Sequence, residues 1–144
     1  GTYESFKSLT EVYQQAYEDH GHDMKNFQVG VHMHALFGED SKKVADTYYP
    51  IYGAQMDRIG KDRGWPAYQR TQYDFGRSSH GHLIIGDAEY AVDKILKIQE
   101  TLGLTRFSAH MDVGAPSHTD MMKAIEIYGT KIAPKVKEAL RKSE

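Results

Sequence analysis

Gln28-Val29-Gly30-Val31-His32-Met33-His34 alternates polar or small residues with apolar ones at every step, and this stretch decides the fold. A period of two marks an extended strand, whose successive side chains point to opposite faces. Val29, Val31 and Met33 share one face; Gln28, Gly30, His32 and His34 share the other. Arg106 to Val113 repeats the division, with Phe107, Ala109, Met111 and Val113 set against Ser108, His110 and Asp112. A third extended run, His82-Leu83-Ile84-Ile85, lies between them in the chain and stops at Gly86-Asp87.

Helical periods fill the intervals. Phe6, Leu9, Val12, Tyr13, Ala16 and Tyr17 form one stripe on a helix predicted from Thr2 to His20, with Gly21 as its C-terminal cap. Ser41 to Arg63 reads as a long helix closed by Gly64. Another helix, capped by Asp87, runs to Leu102 and stops at Gly103. Ser117-His118-Thr119-Asp120 opens a last helical region, which Gly129 and Pro134 divide. Trp65 to Ser79 shows no clear period and is expected to be an ordered, irregular excursion; such segments inside a compact domain usually serve function.

The order is α-β-α-β-α-β-α. Strands joined through helices are parallel, with right-handed crossovers. An open, doubly wound sheet calls for apolar residues on both strand faces, whereas these strands are apolar on one face and polar on the other. That asymmetry suits a barrel whose outer face packs on helices and whose inner face meets a ligand at the C-terminal mouth. The expected fold is therefore α/β, a partial (β/α)8 TIM barrel of about three parallel strands with covering helices. Residues 1–144 form one domain, and three strands are few enough that the chain looks like a piece of something larger.

Composition narrows the function. Eighteen Lys and Arg against 20 Asp and Glu give a net charge of −2, with no positive field for nucleic acid or an acidic membrane surface. No apolar run approaches the length of a membrane span, and no signal peptide is expected. Zero cysteines exclude a disulfide framework and a thiolate centre. Their absence is compatible with a reducing compartment, and a cytoplasmic location is the expectation. Eight histidines are the compositional oddity. His34 and Asp112 are the polar positions nearest the strand ends, where catalytic groups of such barrels sit, and His110 shares the face of Asp112. His32-x-His34 with Asp112 also raises a second chemistry, a metal-dependent hydrolase, although such barrels carry the pair on their first strand and need more ligands. A third reading is a non-catalytic assembly or binding module.

Val29-Gly-Val-His-Met-His34, Met56-Asp-Arg-Ile-Gly-Lys-Asp-Arg-Gly-Trp65, Leu83-Ile-Ile-Gly-Asp-Ala-Glu89 and Ala124-Ile-Glu-Ile-Tyr-Gly-Thr-Lys-Ile-Ala-Pro134 resemble, in order and spacing, the bacterial luciferase-like flavin-dependent monooxygenases. The resemblance implies the C-terminal portion of that family's barrel, roughly strands six to eight. It also implies reduced FMN or a related deazaflavin as cofactor, a small organic substrate, and a flavin reductase as partner. His34 takes the place of a histidine that lies close to the flavin in sulfonate-oxidising relatives, but His32 stands where those relatives carry an arginine. Asp87-Ala88 replaces the family's usual Ser-Pro. His34, His110 and Asp112 are thus the candidate catalytic residues; His32, Arg77 and Ser79 are candidates for holding the flavin; no metal ligand is assigned. The isolated chain is expected to be inactive, and its unpaired sheet edges to bring two copies together as a homodimer.

Overall fold

The computed structural model describes residues 1–143. A 3-10 turn (Tyr3–Phe6) leads into α1 (Lys7–Asp19), and β1 (Gly30–Phe37), α2 (Ser41–Arg63), α3 (Arg70–Arg77), β2 (Ile84–Gly86) and α4 (Ala88–Leu102) follow. The chain ends with β3 (Arg106–His110), α5 (His118–Ile127), a π-helical turn over Tyr128–Ile132 and α6 (Ala133–Lys142). The N-caps that the sequence names, Asp87 and Ser117, form, and Asp40 supplies a further one. Asp40 and Asp87 accept N–H groups at the starts of α2 and α4, and Ser117 does so for α5. Gly64 and Gly103 close α2 and α4 at positive φ, a conformation that a Cβ disfavours. Tyr128–Ile132 is the predicted break in the terminal helix, widened to one π turn.

Trp65 to Ser79 is not irregular throughout: Arg70–Arg77 is helical. A reciprocal box between Gln69 and Gln72 holds its start, and Arg70 binds Asp74 one turn on and Asp46 on α2. Two turns are too short for a hydrophobic period to show, and the buried Tyr73 and Gly76 are its only inward residues.

The three strands are parallel, as expected, but their order is β2-β1-β3. A consecutive run of barrel strands would put β2 in the middle. Here β2 has three residues and reaches only the C-terminal end of β1, pairing Ala35 with Ile84 and Phe37 with Gly86. β3 takes the other edge of β1 and the other half of its length, from Gly30 with Arg106 to His34 with His110. With right-handed crossovers this order sends α2 and α4 to opposite faces. Contacts agree: Tyr52 of α2 meets His34 on one face, while Phe37, which points the other way, stacks on Tyr128 at 5.7 Å. The histidine face is therefore roofed along its upper half by α2, where an open lumen was expected.

The core joins both layers through Met33, Ala35, Leu36, Phe37, Tyr48, Tyr52, Tyr73, Leu83, Ile84 and Ile98, all essentially buried. α1 contributes nothing to it. Its stripe forms as predicted, yet Phe6, Leu9, Val12 and Tyr13 are 45–67% exposed. Beside them runs an open groove of about 580 Å³ along Val31, Met33 and His34. Among the described residues, the β1 edge from Gly30 to His34 that faces away from β3 has no strand partner.

Candidate functional site

The alternation of β1 and its register with β3 place His32, His34, Ser108 and His110 on one face, with His34 directly opposite His110. The imidazoles meet edge to face, His110 at 4.8 Å from His32 and 5.3 Å from His34 between ring centres. Asp112 lies beyond β3, which ends at His110, two residues before the predicted segment reaches it. The turn that follows is tight: Gly114 and Ala115 both have positive φ, and the Ala115 N–H returns to the Asp112 carbonyl at 2.9 Å. The turn still delivers the Asp112 carboxylate to His110 Nε2, at 2.5 Å.

α2 supplies the second support. Its helical spacing turns Tyr48 and Tyr52 onto the sheet, where Tyr48 donates to the Val113 carbonyl at 2.7 Å and Tyr52 Oη meets His34 Nδ1 at 2.9 Å. Tyr49, Tyr52, Tyr68 and Tyr73 pack ring against ring around that bond. Tyr68 Oη is buried with no hydrogen-bond partner among the described residues. Sequence spacing marks Tyr48, Tyr49 and Tyr52 as packing residues; the hydrogen bond to His34 is what that reading missed.

Burial pushes the His34 pKa below its ordinary value of 6.5, and the neighbouring His110, His82 and His32 push the same way. His34 is therefore neutral near pH 7. The sign for stability follows. Above pH 6.5 the ring is uncharged in both folded and unfolded chains; below it the unfolded chain takes up a proton that the folded chain resists. Stability is expected to fall on acidification through the range just below pH 6.5, and thermal melts of wild type and His34→Gln at pH 7.5 and 5.5 check it. The variant should show the smaller drop; equal drops would remove His34 from the account.

The three proposed cofactor residues do not gather. His32 joins the cluster through His110. Arg77 does not: its Nε donates to the Ile85 carbonyl at 3.0 Å, a terminal nitrogen lies 3.4 Å from the Ser41 carbonyl, and the other is 3.6 Å from Asp74. Its guanidinium is a strut between α3, β2 and α2, engaged within the chain. Ser79 is exposed, and its carbonyl, not its hydroxyl, is the group engaged, accepting from Tyr3. For the metal reading, no three His, Cys, Asp or Glu side chains among the described residues are placed to hold an ion. His34 Nδ1 and Asp112 are instead engaged with Tyr52 and His110.

One functional-looking residue was not foreseen. Lys94 of α4 is 4% exposed, and its Nζ donates to the carbonyls of Leu83, Ser78 and Gly76 at 2.5, 2.6 and 3.1 Å. Burial, then the Arg77 guanidinium, pull its pKa down to about 7.

No family model matches the sequence, and no curated protein does. Solved structures do match. The oxygenating constituent of 3,6-diketocamphane monooxygenase from Pseudomonas putida, a type II Baeyer-Villiger monooxygenase in complex with FMN, superposes with a TM-score of 0.62 at 18% identity. That match covers 94% of this chain and 41% of the other. The chain has an α/β fold, a three-stranded parallel sheet with covering helices, that matches part of that structure. A coenzyme F420 dependent tetrahydromethanopterin reductase from Methanopyrus kandleri gives 0.61 at 16% identity, over 94% of this chain and 43% of its own. The chain thus spans about two fifths of the length of these structures, and at such identities the likeness establishes the fold.

Proposed function

We propose that this chain is the C-terminal part of a flavin-dependent oxidoreductase, a monooxygenase acting on a small organic substrate, with the polar face of β1 and β3 at its reacting site. The observation that carries the reading is the cluster itself. Two imidazoles, each with a fixed partner, share the polar face of a fold whose solved neighbours are an FMN-bound monooxygenase and a coenzyme F420 dependent reductase.

The residues present fit the reacting end of such a cofactor. His34 and His110 offer nitrogen donors and acceptors, and the tyrosines of α2 and the segment before α3 keep water from that side. They do not make a grip for its phosphate, because Arg77 is spent internally. We assign that grip to the rest of the barrel. Reduced FMN or a deazaflavin, when bound, supplies the electrons that activate oxygen or move as hydride; a separate flavin reductase would provide the reduced form. This chain's residues orient and exchange protons. Asp112 keeps a proton on His110 Nε2 and fixes that ring. His34, uncharged at neutral pH, can give or take a proton at the nitrogen that Tyr52 leaves free.

The same reading makes the chain by itself inactive and self-associating. The Gly30–His34 edge is open, and the exposed stripe of α1 flanks it, so a second copy is the expected cover. Titration with FMN and with a deazaflavin, run beside light scattering, tests both parts. Weak or no flavin binding by a dimer is expected of the 144-residue chain. A monomer that binds either flavin at about micromolar strength would show a complete small flavin domain and overturn the fragment reading.

A further inference from the structure

We propose that Tyr52 is a positioning residue that holds His34 as the Nε2–H tautomer, so that β1 presents a nitrogen donor beside the acceptor nitrogen of His110. The functional weight of this inference rests on the polar face being the reacting site; the tautomer itself does not.

The argument is one of hydrogen count. Tyr52 Oη and His34 Nδ1 are 2.9 Å apart, so one of them donates. Tyr52 is 1% exposed, and among the described residues its hydroxyl makes no other hydrogen bond. If Nδ1 carried the proton, the hydroxyl hydrogen would be buried with nothing to accept it, at a cost of about 1–3 kcal/mol. If Tyr52 donates, both groups are satisfied. Burial also raises the tyrosine pKa, which keeps the hydroxyl protonated. The lowered pKa of His34 keeps the ring uncharged, so that one of its nitrogens can accept.

His110 is fixed in the opposite sense. Its Nε2 faces the Asp112 carboxylate at 2.5 Å, and a carboxylate only accepts, so a proton is on Nε2, which in the uncharged ring leaves the lone pair on Nδ1. Two imidazoles 5.3 Å apart therefore carry opposed tautomers, one showing a donor and the other an acceptor. Neither requires a charge. Such a pair suits a ligand group that accepts one hydrogen bond and gives another, such as an enol, a hydroxyl or an N–H beside a carbonyl.

The test is long-range proton–nitrogen NMR on the histidine-labelled chain at pH 7.5. His34 is expected to show an unprotonated Nδ1 and a protonated Nε2. Tyr52→Phe, which removes one oxygen, should mix the two tautomers. It should also raise the pH at which His34 titrates in the presence of His32, His82 and His110, the other titratable groups that face it. Tyr73→Phe removes a hydroxyl from the same aromatic cluster, one bound to the Ala45 carbonyl, and should leave His34 unchanged. A protonated Nδ1 in the wild type, or an unaltered His34 spectrum in Tyr52→Phe, overturns the inference, and the first of these needs no variant to fold. The flavin titration is a separate readout. Micromolar flavin binding by a monomer with the expected tautomer would overturn the fragment reading and leave this inference standing, whereas the wrong tautomer beside weak or absent flavin binding would sink this inference alone.

Discussion

Lys94→Met is expected to cost the fold about 3 kcal/mol, read as a fall in the urea midpoint with an unchanged slope. Methionine keeps most of the side chain's length, so packing changes little; what goes is the nitrogen that ties together the carbonyls of Gly76, Ser78 and Leu83. Those carbonyls border the turn from the end of α3 into β2, which has few other supports. Gly81 donates to Ser78, Leu83 donates to Gly76, and Tyr90 Oη reaches Arg77 and Leu83. Each carbonyl bound by Lys94 keeps one of these second partners, which holds the expected cost below that of an orphaned buried charge, about 3–5 kcal/mol. The turn also has no slack. A Cβ on Gly81 would strike the carbonyl oxygens of Phe75 and Gly76, so Gly81→Ala should destabilise the same segment by forcing the backbone apart. A midpoint for Lys94→Met within experimental error of wild type would mean that desolvation of the amine offsets its three bonds. Lys94 would then be a tolerated burial with no stabilising role.

Lys94 also shows what the sequence hides and what it leaves visible. A lysine in a helix passes as a solvated charge, yet this one follows Ala91 by three residues and precedes Ile98 by four, on the buried face of α4. That spacing was available. The helix α2 was legible because an apolar stripe from Val44 to Ile59 and a closing Gly64 agree. α3 was not, because its stability lies in Arg70 and a glutamine box and not in an apolar period. The two faces of β1 and β3 were legible, and with them the meeting of His32, His34 and His110.

Strand order was not legible, since it depends on which edge of β1 each strand reaches. β2 is too short to take the lower half, and β3 fits it. Because the order decides where α2 lies, the partner of His34 was hidden as well. The internal partners of Arg77 were hidden for a related reason. A cationic residue in an excursion looks like an anion donor until the carbonyls of Ile85 and Ser41 are seen to occupy it.

On the proposed function, His34→Ala in the flavin-loaded protein with its whole barrel should lower turnover by about 10²–10⁴-fold while the fold survives. The fold should survive because His34 is only half-buried and its loss leaves one hydroxyl, Tyr52 Oη, to find water or another acceptor. Turnover should not, because the neutral ring is the group on this face best placed to pass a proton near pH 7, its neighbour His110 being tied to Asp112. His34→Gln separates the two things the ring can do. A glutamine amide can offer an N–H where Nε2–H was but cannot release its proton. If His34 acts only as a hydrogen-bond donor, Gln should restore much of the rate that Ala loses. If it transfers a proton, both variants should be slow. Rates near wild type for His34→Ala at saturating flavin would remove His34 from the chemistry and leave it a strand residue held by Tyr52.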